Sequence, residues 1–481
     1  MTPSNTAPGR MTNYRWLICA MLFFATTVNY LDRQVLSLTW PKFIGPEFGW
    51  TNQDYGLITG WFSILYALCM LFAGRFVDRI DTKKGFLWAI GIWSVGACLH
   101  AFCGIATSGV VAGRWLVGFE GARNTLATLD NVGLIASVSV ILFIGARFIL
   151  ALGEAGNFPA AIKATAEYFP KKARAFSTSI FNSGATIGAM IAPACVLYIA
   201  EAWGWESAFL IIGFLGFIWM AAWIFIYKKP DANPRVSPAE LAYIRQDNDP
   251  DSATAQDAAA PKKLSFLDCF RFKQTWAFAF GKLMTDGVWW FFLFWMPKYL
   301  ESVFDLKGTA QVLPLTVLYT IVMISIFGGW LPSYFVNKKG MNPYAGRMRA
   351  MLLFAFFPLL ALAAQPLGAT SYWWPVIIIG VAAAAHQAWS ANIFSTVGDM
   401  FPKTAIATVT GIGGMAGGVG SFFIQMSAGK LFDYAGTTQM SFLGFTGEPA
   451  GYFIIFIACS LAYIIGWTVM KILVPKYKII T

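Results

Sequence analysis

Histidine is almost missing from this chain: two in 481 residues, His100 and His386. With no partners at metal-ligand spacing they cannot build a zinc site, and neither has an acidic residue at helical spacing to form an acid–base pair. Both read as helix-packing residues. Cysteine is sparse and unpatterned. The seven, Cys19, Cys69, Cys98, Cys103, Cys195, Cys269 and Cys459, are odd in number, form no CxxC pair and lie mostly in apolar runs. They read as reduced structural thiols, with neither a metal nor a disulfide framework. Charge is also scarce, at 12%, where a soluble domain carries about 25%. A nucleotide-binding loop is lacking too. The glycine-rich run from Gly411 to Gly420 is followed by no Lys-Ser/Thr and preceded by no strand, so it reads as a place where helices approach closely and flex.

What remains is hydrocarbon. The chain is 57% hydrophobic with mean hydropathy +0.59, and it holds 20 Trp and 43 Phe, a composition suited to lipid. The net charge of +11 is gathered in short clusters between apolar runs, which points to membrane sidedness and away from nucleic acid.

Twelve apolar runs of spanning length cover 15–39, 54–78, 85–107, 133–162, 174–200, 205–227, 273–299, 311–335, 348–366, 372–396, 403–430 and 449–474. A helix needs about 20 residues to cross about 30 Å of hydrocarbon. Basic residues mark alternate connections: Arg75, Arg79, Lys83 and Lys84; Lys171, Lys172 and Arg174; Lys338, Lys339, Arg347 and Arg349; Lys403; and Lys471, Lys476 and Lys478 at the end. Both termini are therefore expected in the cytoplasm. Residues 108–132 are more polar, with Arg114, Glu120, Arg123 and Asp130. An even number of crossings must separate the basic turns on either side, so this stretch is expected to be an outer loop, with room for a helix lying on the membrane. Arg114-Trp-Leu-Val-Gly-Phe-Glu120 imitates a charged transmembrane motif, but the polar residues after it cannot continue through hydrocarbon.

The segment 229–272, with Pro230, Pro234, Pro238, Pro250 and Pro261, divides the chain into residues 1–228 and 273–481. It is expected to be a cytoplasmic linker, helical near 238–246 and mobile near 248–260. The halves echo one another: a small residue, an aromatic stretch and a basic turn occupy Gly74–Gly85 and again Gly329–Gly340. The expected fold is an all-α membrane protein of twelve transmembrane helices in two pseudo-symmetric six-helix halves.

Gly74-x-x-x-Asp78-Arg79-x-x-x-Lys83-Lys84 resembles the loop motif of the major facilitator superfamily, with Asp81 where that family has glycine. Asn29-Tyr-Leu-Asp32-Arg33, the run from Arg147 through Gly153-Glu154-Ala-Gly-Asn157-Phe-Pro159, Leu283 to Leu300, and His386-Gln387-Ala-Trp-Ser390-Ala-Asn392 resemble the anion:cation symporter family and its hexuronate-transporter branch. The resemblance implies proton-coupled import of a sugar acid such as galacturonate or glucuronate across the bacterial inner membrane by a monomer. It implies no cofactor beyond the proton. Other carboxylates, hexonates or phthalate-like anions, stay open as cargo, as do sodium coupling and exchange. A sensor that binds the same ligand without moving it needs an output domain, for which the stretch after 474 is too short. The chain is not expected to be an enzyme.

Intramembrane charges name the candidate site, since each costs about 2.5–3.5 kcal/mol on insertion scales. Arg147 and Glu154 sit two turns apart on one helix face, about 10 Å along the axis. They are either a structural set paired with neighbouring helices or a transport pathway, and the second reading is preferred. Arg147 keeps its proton and can grip a carboxylate bidentately; Glu154 can be neutralised and so carry a proton. Asp32 and Arg33 are neighbours on a helix, about 100° apart, so they cannot share one contact. Arg33 is expected to face the cavity as an anion ligand. Asp32 is a second proton carrier, the partner that positions an arginine, or a charge lock on the outer gate. Lys282, Asp286 and Trp290 form one stripe; Lys282 either binds an oxyanion or pairs with Asp286, a gating candidate. Trp290 or Trp295 is offered for stacking on the sugar ring. Tyr66, Asn182, Gln387, Ser390 and Asn392 are offered for its hydroxyls, the alternative being bridges between helices. Arg75, Asp78 and Arg79 are expected to make cytoplasmic gate contacts.

Overall fold

A backbone in hydrocarbon can satisfy its N–H and C=O groups only within its own helix, and the apolar runs fold accordingly. The computed structural model describes residues 11–246 and 266–480, with the side chains of residues 78, 171, 172, 175, 326, 403, 404 and 407 outside that description. The expected mobile stretch 248–260 falls outside the described residues.

In the first half the spans are α1 (Tyr14–Thr39), α2 (Asn52–Ile80), α3 (Thr82–Ala101, continued as Cys103–Ala112), α4 (Val132–Glu154, continued as Asn157–Tyr168), α5 (Lys171–Trp203) and α6 (Trp205–Ile226). In the second they are α7 (Lys273–Phe304), α8 (Val312–Val322 to Trp330–Lys339 through a 3-10 segment, Met323–Gly329), α9 (Pro343–Phe356 to Ala361–Gly368 through Phe357–Leu360), α10 (Trp373–Met400), α11 (Lys403–Thr438) and α12 (Glu448–Leu473). Among the described residues, eight helices are apolar and long enough to cross a membrane on their own, and the α3 pair, bent by 52°, makes a ninth. The remaining spans, α1, α7 and α11, fall short of that apolarity because they carry Asp32 and Arg33, Lys282 and Asp286, and the polar glycine-rich face that pack inward.

The stretch 108–132 is a connection with structure of its own. Its first residues extend α3 beyond the bend, and Phe119–Ala127 forms a short helix. Arg123 on that helix ties Glu47 at 3.3 Å to Glu206 at 2.8 Å. Arg114 and Glu120 are exposed.

Helices meet where side chains are small. A Cβ on Gly418 of α11 would lie 2.3 Å from the Ala67 Cβ of α2, and one on Gly420 would lie 1.9 Å from the Leu283 carbonyl of α7. Hydrogen bonds join the halves on the face opposite the termini. Asp433 at the end of α11 accepts from the Asn52 and Gln53 backbone N–H groups at 2.9 and 2.7 Å. Glu201 at the end of α5 accepts from Lys42 at 2.7 Å and from the Thr309 N–H at 2.9 Å. Deeper, Tyr55 donates to the Phe294 carbonyl at 2.8 Å and Ser421 to Ser63 at 2.9 Å. Among the described residues, polar contacts within a half mark the terminal face: Thr82 to Glu167 at 2.6 Å, Lys163 to the Val77 carbonyl at 3.0 Å, and Arg347 to Asp399 at 2.6 Å. The linker helix Pro238–Arg245 folds back on the start of α1, where Glu240 accepts from the backbone N–H groups of Tyr14 and Arg15 at 3.0 and 3.1 Å.

The tight turn between α2 and α3 falls on Asp81, with φ 84° and ψ 150°. That region belongs almost exclusively to glycine and costs other residues about 1–3 kcal/mol. The resemblance noted above has glycine at this position. Asp81 offsets part of the strain by accepting from the Thr82 N–H at 2.9 Å, and it meets Lys229 at 3.2 Å in an exposed pair. Asp81→Gly is therefore expected to unfold at or above the wild-type temperature in detergent. Asp81→Ala, which keeps the strain and loses the cap, should be less stable by about 1 kcal/mol. A lower melting temperature for the glycine variant than for the alanine variant would contradict the strain argument.

Candidate functional site

Charges buried in a membrane protein must find partners or face a polar cavity. Close packing fixes the depth of those on α4. A Cβ on Gly153 would lie 2.2 Å from the Trp93 N and 2.6 Å from the Ala89 carbonyl, so α4 is pressed against α3 backbone to backbone. Immediately after, the helix breaks at Ala155 and Gly156.

Glu154 ends that segment fully buried, and its Oε2 accepts from Arg33 Nη2 at 2.7 Å and Nε at 3.1 Å. The partner of Glu154 thus comes from α1. The Arg33 guanidinium also sits in an aromatic cage: the rings of Tyr30, Tyr66 and Trp290 lie 4.9, 4.7 and 4.8 Å away and Phe62 5.8 Å. Such contacts favour a cation, the more so when desolvated.

Arg147 is arranged differently. It is 1% exposed, its guanidinium lies 5.1 Å from the Phe62 ring, and neither terminal nitrogen has a hydrogen-bond partner. Asp32, 2% exposed, lies beside the Trp93 indole and within electrostatic range of Arg147 and Glu154. The second oxygen of Glu154 and the side-chain amides of Asn29 and Asn157 are buried and unpartnered beside them in sequence. Each unmade bond of this kind costs about 1–3 kcal/mol, so the cluster is a standing expense of the fold. Preformed donors and acceptors converging on one point suit a polar anionic guest.

The second half supplies α7. Lys282 and Asp286 pair with each other at 2.7 Å, and the Lys282 ammonium lies 4.1 Å from the Phe394 ring. Trp290, partly exposed on the same stripe, covers Arg33. Trp295 turns the other way: it is fully buried, donates to Gln425 at 2.5 Å and meets Tyr55 edge-on at 5.0 Å in the layer that closes the face opposite the termini. Asn392 gives its amide to the Gly328 and Ala388 carbonyls at 3.2 and 2.8 Å, bridging α10 to α8. Gln387 and Ser390 are half-buried on α10, Tyr66 is 9% exposed, and Asn182 is exposed on α5. Arg75 and Arg79 are exposed near the terminal end of α2, and the side chain of Asp78 lies outside the described residues.

Sequence reasoning missed Tyr30, Phe62, Asn29 and Asn157 as site residues. Asn29, Tyr30 and Asn157 lie in the charged motifs themselves, which was signal enough. His386 packs between helices as expected: its ring stacks on Trp289 at 5.6 Å and shares a 2.7 Å hydrogen bond with Tyr463.

Comparison with known proteins agrees with this architecture. The family model described as Major Facilitator Superfamily matches residues 22–425. The chain belongs to the major facilitator superfamily. It is 28% identical over 434 residues to a hexuronate transporter of Escherichia coli strain K12, covering 90% of each. It is 26% identical over 439 residues to a D-galactonate transporter of Escherichia coli O6:H1, covering 89% of this chain and 91% of that one. Among solved structures, a bacterial homologue of the human lysosomal transporter Spinster, inward-facing and occupied, superposes with TM-score 0.65 at 18% identity, over 96% of this chain and 97% of that one. As a superfamily member the chain is a membrane transporter and not an enzyme.

The two arginines predict opposite effects on stability. Arg33→Met strips a buried Glu154 of its partner and should destabilise by about 3–5 kcal/mol. Arg147→Met removes a buried cation with no hydrogen-bond partner and should cost far less. Thermal unfolding of the purified variants in detergent measures both; equal losses would show that Arg147 is structurally bonded after all.

Proposed function

We propose that this protein is a proton-coupled symporter that imports hexuronates such as galacturonate and glucuronate, or closely related sugar acids, by alternating access. The observation that carries the reading is the difference between the arginines: Arg33 is occupied by Glu154, while Arg147, across the same Phe62 ring, presents two unpartnered nitrogens. A carboxylate docked there gains bidentate, charge-assisted hydrogen bonds. The substrates for which the relatives are named, hexuronates and galactonate, support a carboxylate on a polyhydroxylated chain.

Coupling follows from charge. An incoming carboxylate adds a negative charge beside Asp32 and Glu154, and a proton on either acid restores the balance. Protonation of Glu154 releases Arg33, which can then join Arg147 on the substrate. Trp290 and Tyr66 offer ring faces to the C–H side of the sugar, and Gln387 and Ser390 offer hydrogen bonds to its hydroxyls. Trp295 and Asn392 fit best as parts of the scaffold around that site.

The terminal face is assigned to the cytoplasm of the bacterial inner membrane because the basic turns gather there. The polar contacts between the halves at the opposite face then correspond to a closed outer gate. Asp433 on the α2 N-terminus and Glu201 on Thr309 are bonds that must break as the halves rock outward. Arg75, Asp78 and Arg79 would close the cytoplasmic side in that outward state. The protein is taken to act as a monomer.

Two variants in proteoliposomes test the reading. Arg147→Ala should insert normally and lose galacturonate uptake by about 30-fold or more, the loss expected for truncating one side of a buried charge pair; normal uptake would remove the anchor role. Glu154→Gln should retain exchange of labelled for unlabelled galacturonate yet fail to accumulate it against a gradient under an imposed pH difference. Unimpaired accumulation would show that Glu154 is not the coupling site.

A further inference from the structure

One acid of the chamber has no part in carboxylate anchoring or proton coupling. Asp286 on α7 holds Lys282 at 2.7 Å, and of the two it is the more open, with side-chain exposures of 14% and 5%. The ammonium is turned onto Phe394 at 4.1 Å. Behind Asp286, α11 leaves no room: a Cβ on Gly417 would lie 2.2 Å from Asp286 Oδ2. The carboxylate therefore cannot withdraw toward α11. It lies within electrostatic range of Tyr30 on α1 and of Tyr463 on α12. Tyr30 in turn covers the Arg33 guanidinium at 4.9 Å, and Trp290, one turn along α7 from Asp286, covers the same group at 4.8 Å. Asp286 thus lies beside the aromatic cage of Arg33, on the side of the second half.

A ligand whose carboxylate sits on Arg147 presents its other end toward this wall. An ionised carboxylate only accepts hydrogen bonds. It welcomes hydroxyls, and it opposes a second carboxylate because like charges at close range in a poorly screened site repel strongly. Lys282 and Asp286 together carry no net charge, but the ammonium lies deeper, so a ligand meets the negative end of the pair and the repulsion is reduced without being cancelled. We propose that Asp286 is a specificity residue that admits sugar acids with a single carboxylate, by accepting their distal hydroxyls, and rejects sugar diacids. The proposal rests on the sugar-acid reading and narrows its substrate class.

Galactonate and galactarate make the comparison, for they share the same carbon chain and differ only at the far end, a CH2OH in one and a carboxylate in the other. Each is titrated at neutral pH against uptake of labelled galacturonate by the full chain in proteoliposomes. In the wild type the inhibition constant of galactarate should exceed that of galactonate by about tenfold or more. In Asp286→Asn, which keeps the size and one acceptor, the ratio should fall to within about threefold. The Lys282→Gln/Asp286→Asn double variant guards against misfolding caused by an unpaired lysine, and its ratio should fall likewise. A ratio is independent of how much protein inserts, so a merely structural role for Asp286 would not move it. Equal inhibition by both acids in the wild type, or an unchanged ratio in both variants, overturns the role of Asp286 and leaves the sugar-acid reading intact. Failure of the wild type to take up galacturonate at all overturns the sugar-acid reading and this inference with it.

Discussion

The structure depends on keeping charge balanced where water is scarce. Asp32, Arg33, Arg147, Glu154, Lys282 and Asp286, three acids and three bases, sit on α1, α4 and α7. Only four of them make ion pairs, Arg33 with Glu154 and Lys282 with Asp286, each at 2.7 Å. Of the other two, Arg147 has terminal nitrogens without a hydrogen-bond partner and Asp32 lies beside the Trp93 indole. A protein built for stability alone would replace them with apolar residues of similar size. On the function proposed above, they serve a site whose partners come and go.

The surrounding fold serves that site. Glycine contacts press α4 onto α3 and α11 onto α2 and α7, so the charged residues are held at fixed depth by backbone packing. Among the described residues, the hydrogen bonds between halves gather toward one face, while the contacts named on the terminal face lie within one half. Two halves joined at one face suit the proposed rocking about a central point. Asp433 capping the first turn of α2 from across the interface is an economical way to close a gate, since a carboxylate at a helix N-terminus is favourable yet exchangeable with water.

Much of this was legible in the sequence, for local reasons. A charge in a spanning apolar run must be compensated, so Asp32, Arg33, Arg147 and Glu154 announced themselves without any tertiary knowledge. The i,i+4 pairing of Lys282 with Asp286 is set by helix geometry alone and was one of two readings open at the outset. The partner of Glu154 was not legible: it depends on how α1 is rotated against α4, which residues far from either motif decide. The same holds for the tryptophans. Trp290 and Trp295 are five residues apart, about 140° around a helix, and only packing tells which one meets Arg33 and which meets Tyr55. Asn392 could as well have faced a sugar as a neighbouring carbonyl, and the nearness of α8 settled where its amide goes. The strain at Asp81 was visible only as a departure from the family's glycine, without its cause.

The central claim is that the chamber answers an added carboxylate with a proton. Calorimetric titration of galacturonate into the purified protein, repeated in buffers of different ionisation enthalpy near neutral pH, reads proton uptake directly. The account predicts that the apparent binding enthalpy varies linearly with buffer enthalpy, with the sign of net proton uptake, and that neutral galactose gives no such slope. Binding of galacturonate with the same enthalpy in every buffer across the range from pH 5 to 8 would contradict it.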